Sequence, residues 1–574
     1  MRAAFLRRAA FTGLIAGAAS VHVSMVGIVE TFQRKAVIAE YLSLGTVLPP
    51  LIIIIAAYYA SGPLREGARP RPDRQTALAS GVIVGVVAAA ILALLATYVD
   101  VVQPRGIFNA ASPPLVNTLR FGLEPVVGSL ALLAMGAFAG AVGASFNVLP
   151  GRIARALAVA LIVTLTFALM ERFINQVLAN LPFRFVAQFL YLRGGLTLVG
   201  AMTIFVLAAA GSYAWSARGG EVKARIAERP SQQQMAMRIG AFALLGVILA
   251  VLPWIVGIQL SEAIGTVGIY ILLGLGLNIV VGYAGLLDLG YVAFYAVGSY
   301  TLAMLTSPVA AIAVGMNFWV AIPFVMLAAG IAGLMIGAPV LRLRGDYLAI
   351  VTLGLGEIAR IVLLSDWMKP YLGGAQGILS IPAPELFGIT FRGPQTLYYL
   401  ILISCVFAAL AAVSLANSRI GRAWNAMRED EVVAEATGIN THKTKLLAFA
   451  LGATFGCLGG AFFAVKVGSV FPHSFELLVS INALALIILG GMGSIPGVIV
   501  GAIVLVGLPE LLREFAEYRL LFYGAILIGM MILKPEGLLP NRARRAELHE
   551  HEDEDDQYSS DAGKQSGEPV VTTT

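Results

Sequence analysis

Arg419–Lys445, RIGRAWNAMREDEVVAEATGINTHKTK, is the one long charged stretch in the C-terminal half of a chain otherwise made of apolar runs of membrane length. A charged helix between two such runs cannot enter lipid, so it faces water and is free to meet another protein. Reading outward from it, the chain is a set of membrane spans carrying one water-facing docking element. The composition agrees. Of 574 residues, 58% are hydrophobic and 13% charged, whereas a soluble domain has about a quarter charged.

A helix needs about 20 apolar residues to cross a bilayer. Runs of that kind fall near 9–29, 41–60, 77–99, 122–148, 153–170 and 194–215. A polar linker rich in Arg, Glu and Gln follows at 217–238. Further runs fall near 239–258, 264–283, 286–307, 318–341, 347–364, 397–416, 446–467, 476–491, 496–512 and 518–534. The expected fold is therefore an all-α polytopic membrane protein of about sixteen candidate spans, several of them short or glycine-broken. Its expected organisation is a six-helix N-terminal extension over 1–216, a linker over 217–238, a core over 239–540 and a disordered acidic tail over 541–574.

Basic residues test this order, because loops on the cytoplasmic side are enriched in Lys and Arg. With the N-terminus inside, Arg65, Arg69, Arg71, Arg74, Arg152, Arg155 and the basic cluster of the linker fall in the cytoplasm. The opposite loops hold Arg34, Lys35, Arg105, Arg120, Arg172, Arg184 and Arg193, about half as many as the cytoplasmic side of residues 1–238. Continued alternation places Arg342, Arg344, the whole Arg419–Lys445 segment and Arg542, Arg544 and Arg545 inside as well. Both termini are then cytoplasmic. The net charge of +6 reports topology here and gives no reason to expect nucleic acid.

Arg7 and Arg8 followed by AAFTGLIAGAAS also fit the start of a secretory signal, with Ala16 and Ala18 as small residues. The apolar run continues to Val29, long enough for a retained span. Cys405 and Cys457 lie inside apolar runs and suggest neither a disulfide nor a metal site. His549 and His551 sit among acids in the tail, where a solvated chain is the simpler reading.

The sequence holds no G-x-x-x-x-G-K-[ST] phosphate loop, no H-E-x-x-H and no G-x-S-x-G. Nothing marks it as an enzyme. Its unusual residues are instead those too small or too polar for an ordinary span. In GLGLNIVVGYAGLLDLGYVAFYAVGSY, Gly274–Tyr300, the glycines Gly282, Gly285, Gly290 and Gly298 recur around Asp288. Repeated glycine permits close helix packing and also breaks a span into halves that line a path. Asp288 then belongs either to a water-facing turn or to that path.

In LRLRGDYLAIVTLGLGEIARIV, Leu341–Val362, Glu357 and Arg360 stand three apart on one helix face inside a candidate span. Each costs about 2.5–3.5 kcal/mol at the bilayer centre, so the two are expected to pair or to face a cavity. In ALALIILGGMGSIPG, Ala483–Gly497, the glycines Gly490, Gly491 and Gly493 with Pro496 interrupt two short runs. A tight turn or a re-entrant pair fits better than a continuous helix.

These blocks, together with GRAWNAMREDEVVAEATGIN and the closing KPEGLLP, resemble in order the LivM-type permease of bacterial branched-chain amino acid ABC importers, over about Arg238 to Pro540. The motifs do not extend to residues 1–216. The resemblance implies a permease that itself binds no cofactor, with ATP held by two partner ATPase subunits. It further implies a second permease, a different chain, a soluble substrate-binding protein and a home in the bacterial inner membrane. It assigns ATPase docking to Gly421, Arg428, Glu429, Asp430, Glu431, Glu435, Ala436 and Gly438 of the coupling segment 419–445. The importer signature has an E-A-A triplet with glycine four residues on, whereas Gly438 here directly follows Glu435, Ala436 and Thr437. Similar permeases carry urea or short amides. A separate class, an ion-coupled carrier, would use Glu357, Arg360 and Asp288 as a relay.

Overall fold

A computed structural model describes residues 2–62, 73–104, 106, 108, 110–180, 184–192, 194–227, 231–312, 314–340, 345–511, 521, 524, 527–530, 534 and 536–540. Arg65, Arg69, Arg71, Arg342, Arg344, most of the run 518–534 and the tail 541–574 lie outside the described residues. The chain divides into two compact units, Met1–Ile248 and Leu249–Thr573.

The first unit holds α1 (Arg2–Met25), α2 (Leu44–Ser61), α3 (Arg74–Val102), α4 (Pro125–Val148), α5 (Gly151–Leu169) and α6 (Leu198–Ala227). Ser43 starts α2, its hydroxyl accepting from the Thr46 N–H. Helices α3 and α4 pack backbone to backbone. A Cβ on Gly85 would stand 1.9 Å from Gly136 O, and one on Gly140 would stand 2.1 Å from Gly81 O. In lipid, where no hydrophobic force draws helices together, such small-residue contact is the main source of association. Strands β1 (Ala36–Ile38), β2 (Leu42–Ser43), β3 (Tyr191–Leu192) and β4 (Gly195–Leu196) form a four-stranded sheet of order β2-β1-β4-β3. The polar stretch at 217–238 is helical up to Ala227 and again from Ser231.

Helix α7 (Ser231–Leu277) carries the chain into the second unit. It bends at Gly257, whose φ of 78° and ψ of −174° are not helical, four residues after Pro253. Proline removes the N–H that Leu249 O would accept, and in lipid that freed carbonyl needs another donor, which the Tyr398 hydroxyl supplies at 3.0 Å. At the bend itself, Gln395 Nε2 donates to Pro253 O at 3.0 Å and Ser261 Oγ donates to Gly257 O at 2.7 Å.

From Asn278 to Tyr283 the helix loosens to a π-turn, and regular structure stops until α8 (Val292–Thr306). Further helices are α9 (Phe318–Val340), α10 (Asp346–Leu364), α11 (Pro394–Ala416), α12 (Arg419–Glu429), α13 (Glu431–Ala436), α14 (Thr441–Val467), α15 (Leu477–Gly490) and α16 (Ile495–Ala502), besides short turns. Helix α14 is the most buried span and packs on α8 and α9.

The all-α membrane architecture stands, while the expected count of about sixteen spans is not reached among the described residues. Eleven described helices are long and apolar enough to cross a bilayer. The runs 239–258 and 264–283 form one kinked helix. Val292–Thr306 and Ile495–Gly507 are shorter than a bilayer, because glycine turns consume part of each run. Helix α1 carries Arg7, Arg8 and His22, so its apolar run falls short. The run 518–534 falls mostly outside the described residues.

Candidate functional site

The charged segment folds as two short helices in a bend. Ser418 Oγ accepts from the N–H groups of Ile420 and Gly421 and starts α12. Asp430 Oδ1 accepts from Val432 and Val433 at 2.8 and 3.0 Å and starts α13. Gly438, at φ 94°, ends α13 in the left-handed conformation that glycine adopts without strain. Trp424 is wholly buried and donates from Nε1 to Thr444 O at 2.9 Å, which pins the bend to the start of α14.

The eight residues of this segment divide into two sets. Glu429, Asp430, Glu435, Ala436 and Gly438 form an exposed crest with Val432 and Val433. Gly421, Arg428 and Glu431 turn inward. A Cβ on Gly421 would stand 2.3 Å from Ala416 O, so this position serves close packing. Glu431 Oε1 pairs with the buried Lys445 Nζ at 2.7 Å. Arg428 Nη1 donates to Gly282 O at 2.8 Å.

That last bond joins the segment to the broken span. A charged donor supplies what the π-turn takes from the carbonyl of Gly282, a bond of the stronger, charge-assisted kind. Gly285, at φ 71°, lies against the Arg428 side chain. Between them opens a cavity of about 310 Å³ lined in part by Gly285, Leu287, Gly345, Arg428, Glu431 and Lys445.

Behind the π-turn, buried Asn278 accepts at Oδ1 from the Gly493 N–H at 2.9 Å. Gly282 is the residue that leaves room for this amide, since a Cβ there would stand 2.1 Å from Asn278 Oδ1. Gly493 belongs to the second glycine turn, where α15 stops at Gly490 and α16 starts at Ile495. Gly490 packs on Gly497 O, and Gly491 and Gly493 have φ of 117° and 76°. The closing peptide seals this turn, with Leu538 and Leu539 donating to Leu489 O and Gly490 O, both at 2.9 Å. Arg428 is thus bonded to Gly282, Gly282 packs closely against the Asn278 amide, and Asn278 is bonded to Gly493, so the four are in continuous contact.

The other expected residues lie beside these four. Asp288 is buried in the interruption before α8, with Oδ1 accepting from the Gly290 N–H at 2.9 Å. Gly290 packs on Thr352 O of α10, and Gly298 packs on Cys457 O of α14. Glu357 and Arg360 pair at 3.0 Å on α10, each about a third exposed. One further pair escaped the reading of the sequence. Lys466 Nζ meets Glu262 Oε1 at 3.0 Å and the hydroxyl of Thr266. Both charges sit near run ends, where they look like ordinary span boundaries, and no spacing joins residues of α7 to the end of α14.

Comparison with known proteins follows the same division. The family model described as "Branched-chain amino acid transport system / permease component" matches residues 259–531. The high-affinity branched-chain amino acid transport system permease protein LivM of Escherichia coli K12 is 44% identical over 295 residues, covering 47% of this chain and 68% of the relative. LivH of the same organism is 26% identical over 287 residues, covering 47% of this chain and 91% of the relative. BraD of Pseudomonas aeruginosa is 25% identical over 301 residues, covering 49% and 94%. No solved structure matches.

Proposed function

Since this chain belongs to the branched-chain amino acid permease family, we propose that it is the membrane-spanning subunit of an ATP-binding-cassette importer for branched-chain or closely related neutral amino acids. The chain supplies a path and takes its energy from elsewhere. A second, homologous permease stands beside it, two ATPase subunits hold and hydrolyse ATP, and a soluble binding protein delivers the amino acid. The assembly sits in the bacterial inner membrane with both termini of this chain in the cytoplasm.

The observation that carries this reading is the bond from Arg428 to Gly282 O. An ATPase docked on the crest of Glu429, Asp430, Glu435, Ala436 and Gly438 displaces α12 and α13 when it closes on ATP. Arg428 passes that displacement to the π-turn, and Asn278 passes it to the Gly490–Gly493 turn. Such loosened, glycine-broken helices are where transporters change access. The motion alternates the path between the two faces of the membrane.

Mass spectrometry of the chains that co-purify after gentle extraction from the native membrane tests this directly. Two ATPases and a second permease are expected. Recovery of this chain alone, even after mild crosslinking, would overturn the assignment.

A further inference from the structure

Glu357 and Arg360 form the only ion pair within a single membrane-length helix among the described residues. Helix α10 begins beside Gly345, which lines the cavity below Arg428. At 1.5 Å per residue, Glu357 lies about 18 Å farther along, near the middle of a hydrocarbon core about 30 Å thick. The side chains are 35% and 33% exposed, on a face shared with exposed Ile350 and Ile361. Gly354 sits one turn before Glu357, and a Cβ there would meet nothing within 4 Å.

The pair is also incomplete. Arg360 uses Nε for Glu357 Oε2. Among the described residues, neither guanidinium Nη group nor Glu357 Oε1 has a hydrogen-bond partner. Ionised groups at this depth face a water-filled cavity or another protein, because lipid satisfies neither donor nor acceptor. Here they present a cationic fork and an anionic oxygen side by side, with open space at Gly354 and apolar residues around them.

We propose that this face of α10 lines the passage between the two permeases and recognises the zwitterionic head of the passing amino acid. The Arg360 fork receives the α-carboxylate through its two Nη groups, and Glu357 receives the α-ammonium. The aliphatic side chain rests against Ile350 and Ile361. This inference depends on the amino acid transport reading given above.

The test uses the whole complex in proteoliposomes, with leucine-loaded binding protein, following leucine uptake and ATP hydrolysis together. In the E357Q/R360Q variant, assembly and stimulated ATP hydrolysis are expected to persist, while leucine moved per ATP falls at least about tenfold. Unchanged leucine per ATP in that variant overturns the proposal, since a merely structural pair tolerates joint neutralisation. Should the double variant fail to assemble, R360K decides. It keeps the charge and removes the fork, so a loss of about tenfold supports recognition and an unchanged yield overturns it. A wild-type complex that hydrolyses ATP and moves no leucine would instead sink the transport reading on which the proposal rests.

Discussion

Arg428 Nη1 lies 2.8 Å from the carbonyl oxygen of Gly282, a residue 146 positions earlier in the chain. One end of this bond belongs to the exposed charged segment, the other to the loosened turn of a buried helix. Removing the guanidinium with R428Q forfeits a charge-assisted bond worth about 1.5–3 kcal/mol, roughly a 10- to 100-fold change in an equilibrium. The expected outcome is ATP hydrolysis near the wild-type rate with leucine uptake down by about tenfold or more, and partial recovery in R428K. Paired uptake and hydrolysis assays on one preparation check it.

The crest and the internal pair separate by charge reversal. E429K/E435K changes only exposed groups, so the fold stays intact while recovery of ATPase subunits with the complex falls. E431K instead sets two cations together beside buried Lys445 and destabilises the segment itself. Co-purification ratios and thermal aggregation midpoints should therefore move in opposite patterns for the two variants. Equal loss of ATPase with no thermal change in either would contradict the division.

Trp424 fills the bend completely. Replacing it with Ala opens a cavity and costs about 3–5 kcal/mol. Limited proteolysis of vesicles should then cut within 419–445 at least ten times faster than in wild type, an estimate of about one to two orders below the full equilibrium effect. Protection equal to wild type would show that the segment is held by something else.

Adding one methyl group at Gly282 tests the crowding around Asn278. The Cβ in G282A would stand 2.1 Å from Asn278 Oδ1 and 2.7 Å from the Gly493 N–H, so the amide bond between the two broken segments has to yield. Overpacking of this kind costs about 1–3 kcal/mol. A lower aggregation midpoint with reduced uptake is expected, whereas G354A, in open space, leaves the midpoint unchanged.

Much of this was legible from residue types alone. Apolar length announced the spans, while repeated glycine left close packing and interruption both open: Gly81, Gly85, Gly136 and Gly140 pack unbroken helices, whereas Gly282, Gly491 and Gly493 sit at breaks. The span count was less legible. Whether Gly257 ends one helix or bends it depends on Ser261 and on Gln395, a side chain from a distant helix that donates to the carbonyl of Pro253. The inward role of Arg428 was equally hidden, since its partner is a backbone oxygen and carries no signature of its own. The family resemblance assigns Glu431 to docking, and no spacing in the sequence signals that its carboxylate pairs with Lys445, fourteen positions on.

The bonds from Leu538 and Leu539 to Leu489 and Gly490 bear on how the protein is made. A ribosome adding about 5–20 residues per second delivers those donors several seconds after the acceptors they satisfy. During that interval the buried carbonyls at the end of α15 are bare, and the turn that receives Asn278 has no lid. Biosynthesis therefore closes this glycine turn after the helices on either side of it are made. A chain cut short before residue 538 has all the helices of α1–α16 and still lacks the two backbone donors that stitch the end of α15.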